Sequence, residues 1–388
     1  FAARRYVVRA GEAFVQDQVA IQANGLDNGI IRILLDEQTG GIKELAARGI
    51  EGNFADPASG YTLNQYLFLP GDNLADVQST SAVKITVKEP GPLVASYVVE
   101  SQAPGCNALT TEYRLWAGAD YVEMVNCVDK KRGPQTPTPG DWVFAQKGGK
   151  ESVNFAFPFQ VPDGVMRLDI PLGMMQPERD QIPSACKNWF TVGRWADVSN
   201  EQKGVTWVTL DAPLLQVGEL SARLLGSQSN PDVWRKAVDP TQTLFSWVMN
   251  NHWGTNYRAY QEGPVLFRYA LRPHDGFVSG AAARFATGLS HNLIAAPAVG
   301  SVPAVPRLQV TPTDAMVIAF KPSEDGKAWI VRLFGAAEED TEATLQWSDP
   351  APHALYLSDT SEKAIQKQHG PVIVPAWDVV TLRAEFAR

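Results

Sequence analysis

The feature that most constrains this fold is a series of short runs in which apolar and polar residues alternate. Four consecutive runs of this kind, separated by tight turns, are Val83–Lys88, Ala95–Ser101, Thr111–Trp116 and Tyr121–Asp129. The side chains of a β-strand point to opposite faces with a period of two, so each run predicts a strand with one buried face. Short turns between successive runs favour antiparallel pairing. The sequence therefore predicts a meander of antiparallel strands.

The rest of the chain has a similar strand-rich pattern. Ile30–Leu35 predicts a strand, and Asp36–Gly41, which ends in two glycines, predicts the turn of a hairpin. Only Gly280–Leu289 predicts a helix of any length. With 31 glycines, 27 prolines and no alternation of strands with helices, the sequence favours an all-β fold built on a large β-sandwich over a parallel sheet.

The domain organisation follows from length and from one proline-rich stretch. A chain of 388 residues exceeds the usual size of a single domain, so about two domains are expected. Ala295–Arg307 carries prolines and a glycine that predict a stiff joint without regular structure. We therefore predict a tail or first strand over residues 1–20, a β-sandwich domain over 21–300 and a small C-terminal β-sandwich over 307–388.

Charge and hydropathy exclude several partners. The formal net charge is -8 and there is no basic block, so nucleic acid is not an expected partner. No apolar run reaches the roughly 20 residues that span a bilayer, and no amino-terminal stretch resembles a signal peptide. We expect a soluble chain without a membrane partner, and both a periplasmic and a cytoplasmic location remain open.

Cysteines and histidines predict neither a disulfide framework nor a metal site. Cys106, Cys127 and Cys186 are far apart and form no CxxC pair, so we expect three small buried hydrophobic residues, with a disulfide between two of them as the alternative. The five histidines have no partner at the spacings typical of metal ligands. They are His252, His274, His291, His353 and His369.

One segment combines aromatic rings with amides at unusual density. Between the strand-like runs Leu244–Met249 and Val265–Leu271, eight such residues fall within twelve positions. Flat rings cover the C–H faces of a pyranose, and amides pair with its hydroxyls, so a sugar-facing surface is one reading. The other is a satisfied polar network that braces a long loop. The candidate substrate-binding residues here are Asn251, His252, Trp253, Asn256, Tyr257 and Gln261.

Two further stretches contain candidate site residues. Tyr66 follows Asn64 and Gln65 in a run that is otherwise apolar, and these three side chains could line a pocket. Asp197 lies at the end of a predicted strand pair, where it could serve a ligand. An aspartate before Val-Ser at a turn more often accepts hydrogen bonds from its own backbone, and we interpret Asp197 in that way.

Six segments occur in an order that resembles the carboxy-terminal half of glycoside hydrolase family 38 α-mannosidases. They are LDNGIIRILLDEQTGGIKEL, YLFLP, VNCVDK, GRWADVSNEQKGVTWVTLDAPL, NNHWGTNYRAYQEGPVLFRYALRPH and MVIAFKPSEDGKAWIVRLF. The resemblance implies a large galactose-mutarotase-like β-supersandwich up to about Gly300 and a small terminal β-sandwich from about Arg307. Both agree with the strand pattern.

The resemblance also implies a function in two halves. In such enzymes hydrolysis is retaining and zinc-dependent, and the nucleophile and zinc ligands lie on an amino-terminal barrel that this sequence does not contain. We therefore expect this chain to hold no catalytic residue, metal or cofactor, with zinc in the catalytic domain. Its expected partners are that barrel, an α-mannoside or related glycan, and a second copy of the chain through the exposed docking face.

The resemblance suggests what the β half supplies, namely part of the wall of the sugar site. Tyr66 occupies a YLFLP string like the one that presents a substrate-contacting tyrosine in Golgi-type members. This sequence lacks the His-Arg-Arg…Asp-Asp…Arg-Gly string through which Golgi and lysosomal members place an arginine near the substrate. The NNHWGTNY part of the aromatic–amide segment, residues 250–257, either takes that role or only braces the interface.

Two other functions remain open at this point. The chain could be a stand-alone carbohydrate-binding module that uses its aromatic–amide segment. It could also be an aldose-epimerase-like enzyme, which needs a histidine acid and a carboxylate base in one cleft. His252 and Glu262 are the pair that lies closest in sequence.

Overall fold

The computed structural model describes residues 3–11, 16–133, 150–222, 234–251, 260–297, 300 and 305–387. These residues form 27 strands and one α-helix, which confirms the predicted all-β fold class. The chain divides into a larger unit, with the described residues of 14–170 and 174–277, and a smaller unit, with those of 1–13, 171–173 and 278–388. The helix thus falls in the smaller unit, whereas the sequence placed the boundary near residue 300.

The larger unit is built from short and medium-length strands, and the thirteenth of them includes Gly173, which is assigned to the smaller unit. They are β1 (Ala20–Gln22), β2 (Gly25–Asp27), β3 (Ile31–Leu35), β4 (Ile42–Ala47), β5 (Gln65–Pro70), β6 (Gln78–Ser79), β7 (Ser81–Pro90), β8 (Val94–Gln102), β9 (Cys106–Trp116), β10 (Val122–Lys130), β11 (Glu151–Pro158), β12 (Val165–Ile170), β13 (Gly173–Met175), β14 (Phe190–Thr191), β15 (Trp195–Ser199), β16 (Gly204–Thr209), β17 (Leu214–Val217), β18 (Thr243–Asn250) and β19 (Gly263–His274).

These strands form three antiparallel sheets. The order is β1-β2-β3-β4 in a four-stranded sheet, β13-β12-β15-β16-β19-β10-β9-β8-β7 in a nine-stranded sheet, and β14-β17-β18-β11-β5-β6 in a six-stranded sheet. Phe157 of the six-stranded sheet contacts Trp207 and Tyr269 of the nine-stranded sheet, with ring centroids 5.5 and 5.1 Å away. The nine- and six-stranded sheets therefore enclose one aromatic-rich core.

The predicted meander and hairpin are confirmed. Strands β7, β8 and β9 each pair with the next strand along the chain in antiparallel register, so that β7 to β10 are neighbours in order. Between β3 and β4, Asp36 Oδ1 accepts hydrogen bonds from the backbone of Gln38 and Thr39, which closes the turn. Gly40 has a φ of 76°, and a Cβ there would lie 2.8 Å from Val99 Cγ1. Only glycine fits this position without strain.

The smaller unit contains the helix and the remaining strands. They are α1 (Ser279–Ser290), β20 (Leu308–Thr311), β21 (Ala315–Pro322), β22 (Ala328–Gly335), β23 (Thr341–Trp347), β24 (Ala354–Ser358), β25 (Gln366–Lys367), β26 (Val372–Val374) and β27 (Val379–Glu385). Sheets ordered β20-β23-β26 and β21-β22-β27-β24-β25 share a core that includes Leu333, Ala343 and Leu382. The predicted helix and small β-sandwich are both confirmed.

The cysteine prediction is corrected in part. Cys127 is exposed, Cys106 and Cys186 are half-buried, and all three are free thiols. Cys127 lies at the single exposed position of β10, where alternate residues turn away from the core. The position of Cys127 on the outward face of the strand thus outweighs the general tendency of cysteine to be buried. Within the described residues, no helix has both the length and the apolar character needed to cross a membrane.

Candidate functional site

Four strand ends meet at one end of the larger sandwich. Strand β10 ends at Lys130 and β11 begins at Glu151, while β18 ends at Asn250 and β19 begins at Gly263. Lys130 pairs with Gly263, and the residue after Glu151 pairs with Asn250. The attachment points of residues 134–149 and 252–259 are therefore neighbours, and they include those of the aromatic–amide segment.

A buried ion pair lies beneath these strand ends. Lys130 Nζ donates to Glu151 Oε1 at 2.8 Å, and the two residues are only 1% and 4% exposed. The ammonium also donates to the carbonyl oxygen of Lys131 at 2.7 Å and lies 5.7 Å from the centre of the Phe68 ring. Burial of two charges is costly unless their remaining hydrogen bonds are made, and the Lys131 carbonyl accepts one of those of the ammonium.

The ion pair fixes the first candidate residue of the aromatic–amide segment. The backbone N–H of Asn251 donates to the Glu151 carbonyl at 2.8 Å, and Asn251 Nδ2 donates to Glu151 Oε1 at 3.1 Å. Asn251 is 8% exposed, whereas Gln261 at the other end is exposed. The candidates His252, Trp253, Asn256 and Tyr257 lie outside the described residues. Glu151 therefore acts as the anchor of this segment.

Tyr66 lies inside the core of the larger unit. It is 1% exposed, and its ring packs edge-on against Phe155 with centroids 5.8 Å apart. Its hydroxyl donates to the Pro104 carbonyl at 2.6 Å and lies 3.1 Å from Cys106 Sγ. Burial raises the pKa of Tyr66 well above its usual range. In this structure the side chain packs in the core and does not face solvent.

The neighbours of Tyr66 are also buried. Asn64 and Asn126 exchange side-chain hydrogen bonds of 3.0 and 2.9 Å. Asn64 immediately precedes β5 of the six-stranded sheet, and Asn126 lies in β10 of the nine-stranded sheet. Gln65 accepts from the backbone N–H of Thr62 at 2.9 Å and donates to Ser79 Oγ at 3.0 Å. These amides satisfy one another inside the core, which is the condition for burying them. Within the part of the chain that the structure describes, the side chains of Asn64, Gln65 and Tyr66 are therefore buried.

Arg132 adds a stacked cation to the same end of the sandwich. Its guanidinium carbon lies 3.8 Å from the centre of the Tyr260 ring, within the range of a cation–π contact. The Arg132 Nε is buried and has no hydrogen-bond partner among the described residues. Sequence reasoning missed this contact because residues 132 and 260 come together only through the pairing of β10 with β19.

The interpretation of Asp197 is corrected. The residue lies within β15, is 0% exposed and accepts three side-chain hydrogen bonds. The donors are Ser199 Oγ at 2.6 Å, Thr206 Oγ1 at 2.7 Å and His274 Nε2 at 2.7 Å. Thr206 lies directly opposite Asp197 across β15 and β16, and His274 belongs to β19. The carboxylate orients these neighbours and is too deeply buried to contact a sugar itself.

A small pocket on the larger unit was not predicted. It has a volume of about 380 Å³, and its lining includes Trp234, Asn73, Asp72 and Glu219. Trp234 packs against Trp189 with ring centroids 5.5 Å apart. One aromatic ring among an amide and two carboxylates could hold a single sugar ring. These residues span more than 160 positions of the chain, so no local sequence pattern predicts the pocket.

The small terminal sandwich is similar to a known domain. Residues 315–382 match the model of the glycosyl hydrolases family 38 C-terminal β-sandwich domain. The resemblance to family 38 is confirmed. No curated protein matches the chain by sequence.

Solved structures extend the family 38 similarity to the fold of nearly the whole chain. An α-mannosidase from Enterococcus faecalis V583 matches with a TM-score of 0.69 at 14% identity, covering 96% of this chain and 43% of its own. A family 38 protein from Enterococcus faecalis matches with a TM-score of 0.70 at 14% identity, covering 96% and 45%. A galactose mutarotase-like protein from Lactobacillus casei ATCC 334 gives a TM-score of 0.35 at 10% identity, covering 66% and 100%. This chain spans less than half the length of the two family 38 structures.

Resemblance to family 38 implies zinc, so we asked whether this chain could hold it. Among the residues that the structure describes, no three His, Cys, Asp or Glu side chains come together as a metal site would require. The described side chains do not fit a zinc ion. We therefore derive no chemical step through a metal bound to them.

Proposed function

We propose that this chain is the β half of a family 38-like α-mannosidase. It supplies part of the wall of the sugar site and depends on an amino-terminal catalytic barrel for retaining, zinc-dependent hydrolysis of an α-mannoside. The observation that carries the proposal is that 96% of this chain overlays on only 43% of a solved α-mannosidase. The family model at residues 315–382 supports it independently of the overlay.

The proposed sugar wall is the aromatic–amide segment. Asn251 and Gln261 stand at its two described ends, and His252, Trp253, Asn256 and Tyr257 are its other proposed members. The buried pair of Lys130 and Glu151 would hold the start of the segment in place through the two hydrogen bonds to Asn251. Rigid support of this kind reduces the ordering cost of binding a sugar.

The first experiment measures hydrolysis of 4-nitrophenyl α-mannoside by the purified chain, alone and with a separately produced amino-terminal half, with and without zinc. We expect no turnover by the chain alone, because the covalent step needs a nucleophile on the barrel. Turnover should appear when both halves and zinc are present. Turnover by this chain alone that a chelator removes would overturn the proposal.

Variants of the chain then test the sugar wall in the reconstituted enzyme. Trp253→Ala should lower kcat/KM about tenfold, which corresponds to about 1.4 kcal/mol of lost stacking. The matched control is Trp116→Ala, since Trp116 is 40% exposed and lies at the end of β9, outside the proposed wall. Equal activities for the two variants would remove the segment from the site while leaving the two-half proposal intact.

The barrel also requires a docking face on this chain. We expect the isolated chain to self-associate as its concentration rises, because an uncovered docking face exposes apolar area. Sedimentation velocity measures this directly. Addition of the amino-terminal half should replace self-association with a one-to-one complex, and a chain that stays monomeric and ignores the barrel would contradict the docking proposal.

A further inference from the structure

A groove of about 910 Å³ opens at one end of the smaller sandwich. Three adjacent strands of the five-stranded sheet meet there, since β22 begins at Ala328, β24 begins at Ala354, and both residues pair with Glu385 at the end of β27. The lining includes Trp329 and Phe386, and also Arg307, Lys327, His353 and Glu385. Its volume lies within the range of small-molecule sites.

Both aromatic rings of the groove are held by other rings. Trp329 stacks on Phe320 with centroids 4.7 Å apart and planes 25° from parallel. Phe386 packs against Trp347 at 5.7 Å and 75°, and the guanidinium carbon of Arg307 lies 4.8 Å from the Phe386 ring centre. Trp347 also contacts Phe320 at 6.0 Å. The rings thus form one packed cluster. A ligand that stacks on Trp329 would therefore cost little side-chain conformational entropy.

Polar groups at the edge of the groove are available for hydrogen bonds. His353 is exposed and uses its backbone N–H to donate to the Glu385 carbonyl at 2.8 Å, while its ring has no partner among the described residues. Glu385 Oε1 accepts from Arg383 Nε at 2.9 Å, and its second oxygen has no partner within the described part of the chain. Lys327 is exposed. Donors and acceptors therefore stand side by side, as paired sugar hydroxyls require.

The charges of the groove select against an ionic ligand. The lining carries two cations, Arg307 and Lys327, and two anions, Asp325 and Glu385. Asp325 is further engaged by Ser323 Oγ at 2.6 Å and by Arg383 Nη2 at 2.9 Å. A phosphate or sulfate would meet two carboxylates here, whereas a neutral polyol would meet balanced donors and acceptors.

We propose that this groove is a binding site for a neutral oligosaccharide. One pyranose covers the Trp329 ring with its C–H face, and hydroxyls of the same or the next sugar pair with His353 and Glu385. The site belongs to the smaller unit alone and involves no bond making or breaking. It is a glycan-retention site that goes beyond the proposed sugar wall, and it does not depend on the amino-terminal half.

The test titrates the full chain with four neutral hexasaccharides, α-1,6-mannohexaose, maltohexaose, cellohexaose and xylohexaose, by calorimetry. A heparin hexasaccharide serves as the anionic comparison. Every titration is repeated in the Trp253→Ala background, so that binding by the aromatic–amide segment is separated from binding by the groove. We expect at least one neutral hexasaccharide to bind in both backgrounds.

Two variants and a matched control locate the binding. Trp329→Ala should weaken it about tenfold and Trp329→Phe less, because a smaller ring keeps part of the stacking. His353→Ala should weaken it about threefold, equivalent to one lost hydrogen bond. His369→Ala is the control, since His369 is exposed in the same unit but does not line the groove. His353 is exposed, so its variant keeps the test decisive even if Trp329→Ala misfolds.

Three outcomes would overturn the proposal. The first is that no neutral hexasaccharide binds at concentrations up to about 10 mM. The second is that binding is unchanged in both Trp329→Ala and His353→Ala. The third is that only the heparin hexasaccharide binds, which would make the groove an anion site. None of these outcomes bears on reconstituted mannosidase activity, so this proposal and the proposed function can fail separately.

Discussion

Replacement of Lys130 by methionine should be one of the most damaging single changes in the larger unit. The substitution keeps the length of the side chain but removes the ammonium that lies 2.8 Å from Glu151 Oε1. The two side chains are 2% and 6% exposed, so water cannot replace the lost partner. Glu151 would retain Asn251 Nδ2 as its remaining side-chain donor. Breaking a buried pair on one side costs about 3–5 kcal/mol.

The expected magnitude is large enough to separate from ordinary surface effects. For a unit of this size 1 kcal/mol shifts the melting temperature by about 2–4 °C, so Lys130→Met should lower it by roughly 10 °C. The double variant Lys130→Met/Glu151→Gln should recover most of this loss, because neither charge remains buried. Circular dichroism melts at neutral pH measure all three proteins.

The control is a matched pair on the surface. Lys84 Nζ lies 3.2 Å from Glu100 Oε2, but these side chains are 69% and 56% exposed. Lys84→Met should change stability by less than about 1 kcal/mol, since solvent screens such pairs. If Lys130→Met proves no more harmful than Lys84→Met, or if the double variant is worse than the single one, burial of the pair does not govern its energetics.

Two further predictions concern ionisable groups. Burial raises the pKa of Asp169 to about 6, against a hydrogen bond from the Arg194 backbone that lowers it, so folding takes up a proton and stability falls as the pH rises from about 4 through about 6. The stability of Asp169→Asn relative to the parent should therefore rise by up to about 3 kcal/mol between pH 4 and pH 7, and a pH-independent difference in urea titrations would refute this. Cys127 is exposed and should react first with Ellman's reagent, while burial raises the pKa of Cys106 and slows it. Cys127→Ser should abolish the fast phase, and a fast phase that survives would contradict the assignment.

Local periodicity accounts for what could be predicted of the fold. The runs that became β7, β8, β9 and β10, the hairpin at Asp36–Gly41 and the helix α1 are all visible in the sequence, because each depends on residues a few positions apart. The six family-like segments and their order are also read directly from the sequence. The exposure of Cys127 could also have been predicted from the alternation of side chains in β10, since the residues on both sides of it are buried.

The candidate sites depend on contacts between residues that are distant in sequence, and such contacts could not be predicted from local patterns. Lys130 and Glu151 are 21 positions apart, and Asp197 and His274 are 77 apart. Whether Tyr66 would face a ligand or the core depended on which sheet packs on β5. The residues next to Tyr66 in sequence do not predict that packing.

The sequence by itself determined the strands, their turns, the helix and the all-β class, because side-chain alternation and glycine conformations act over a few residues. Tertiary structure alone decided which polar side chains are buried together and which line a groove. Antiparallel pairing brings strand ends from distant parts of the chain to one edge of a sheet. The Lys130–Glu151 anchor and the groove beside Trp329 exist for that reason.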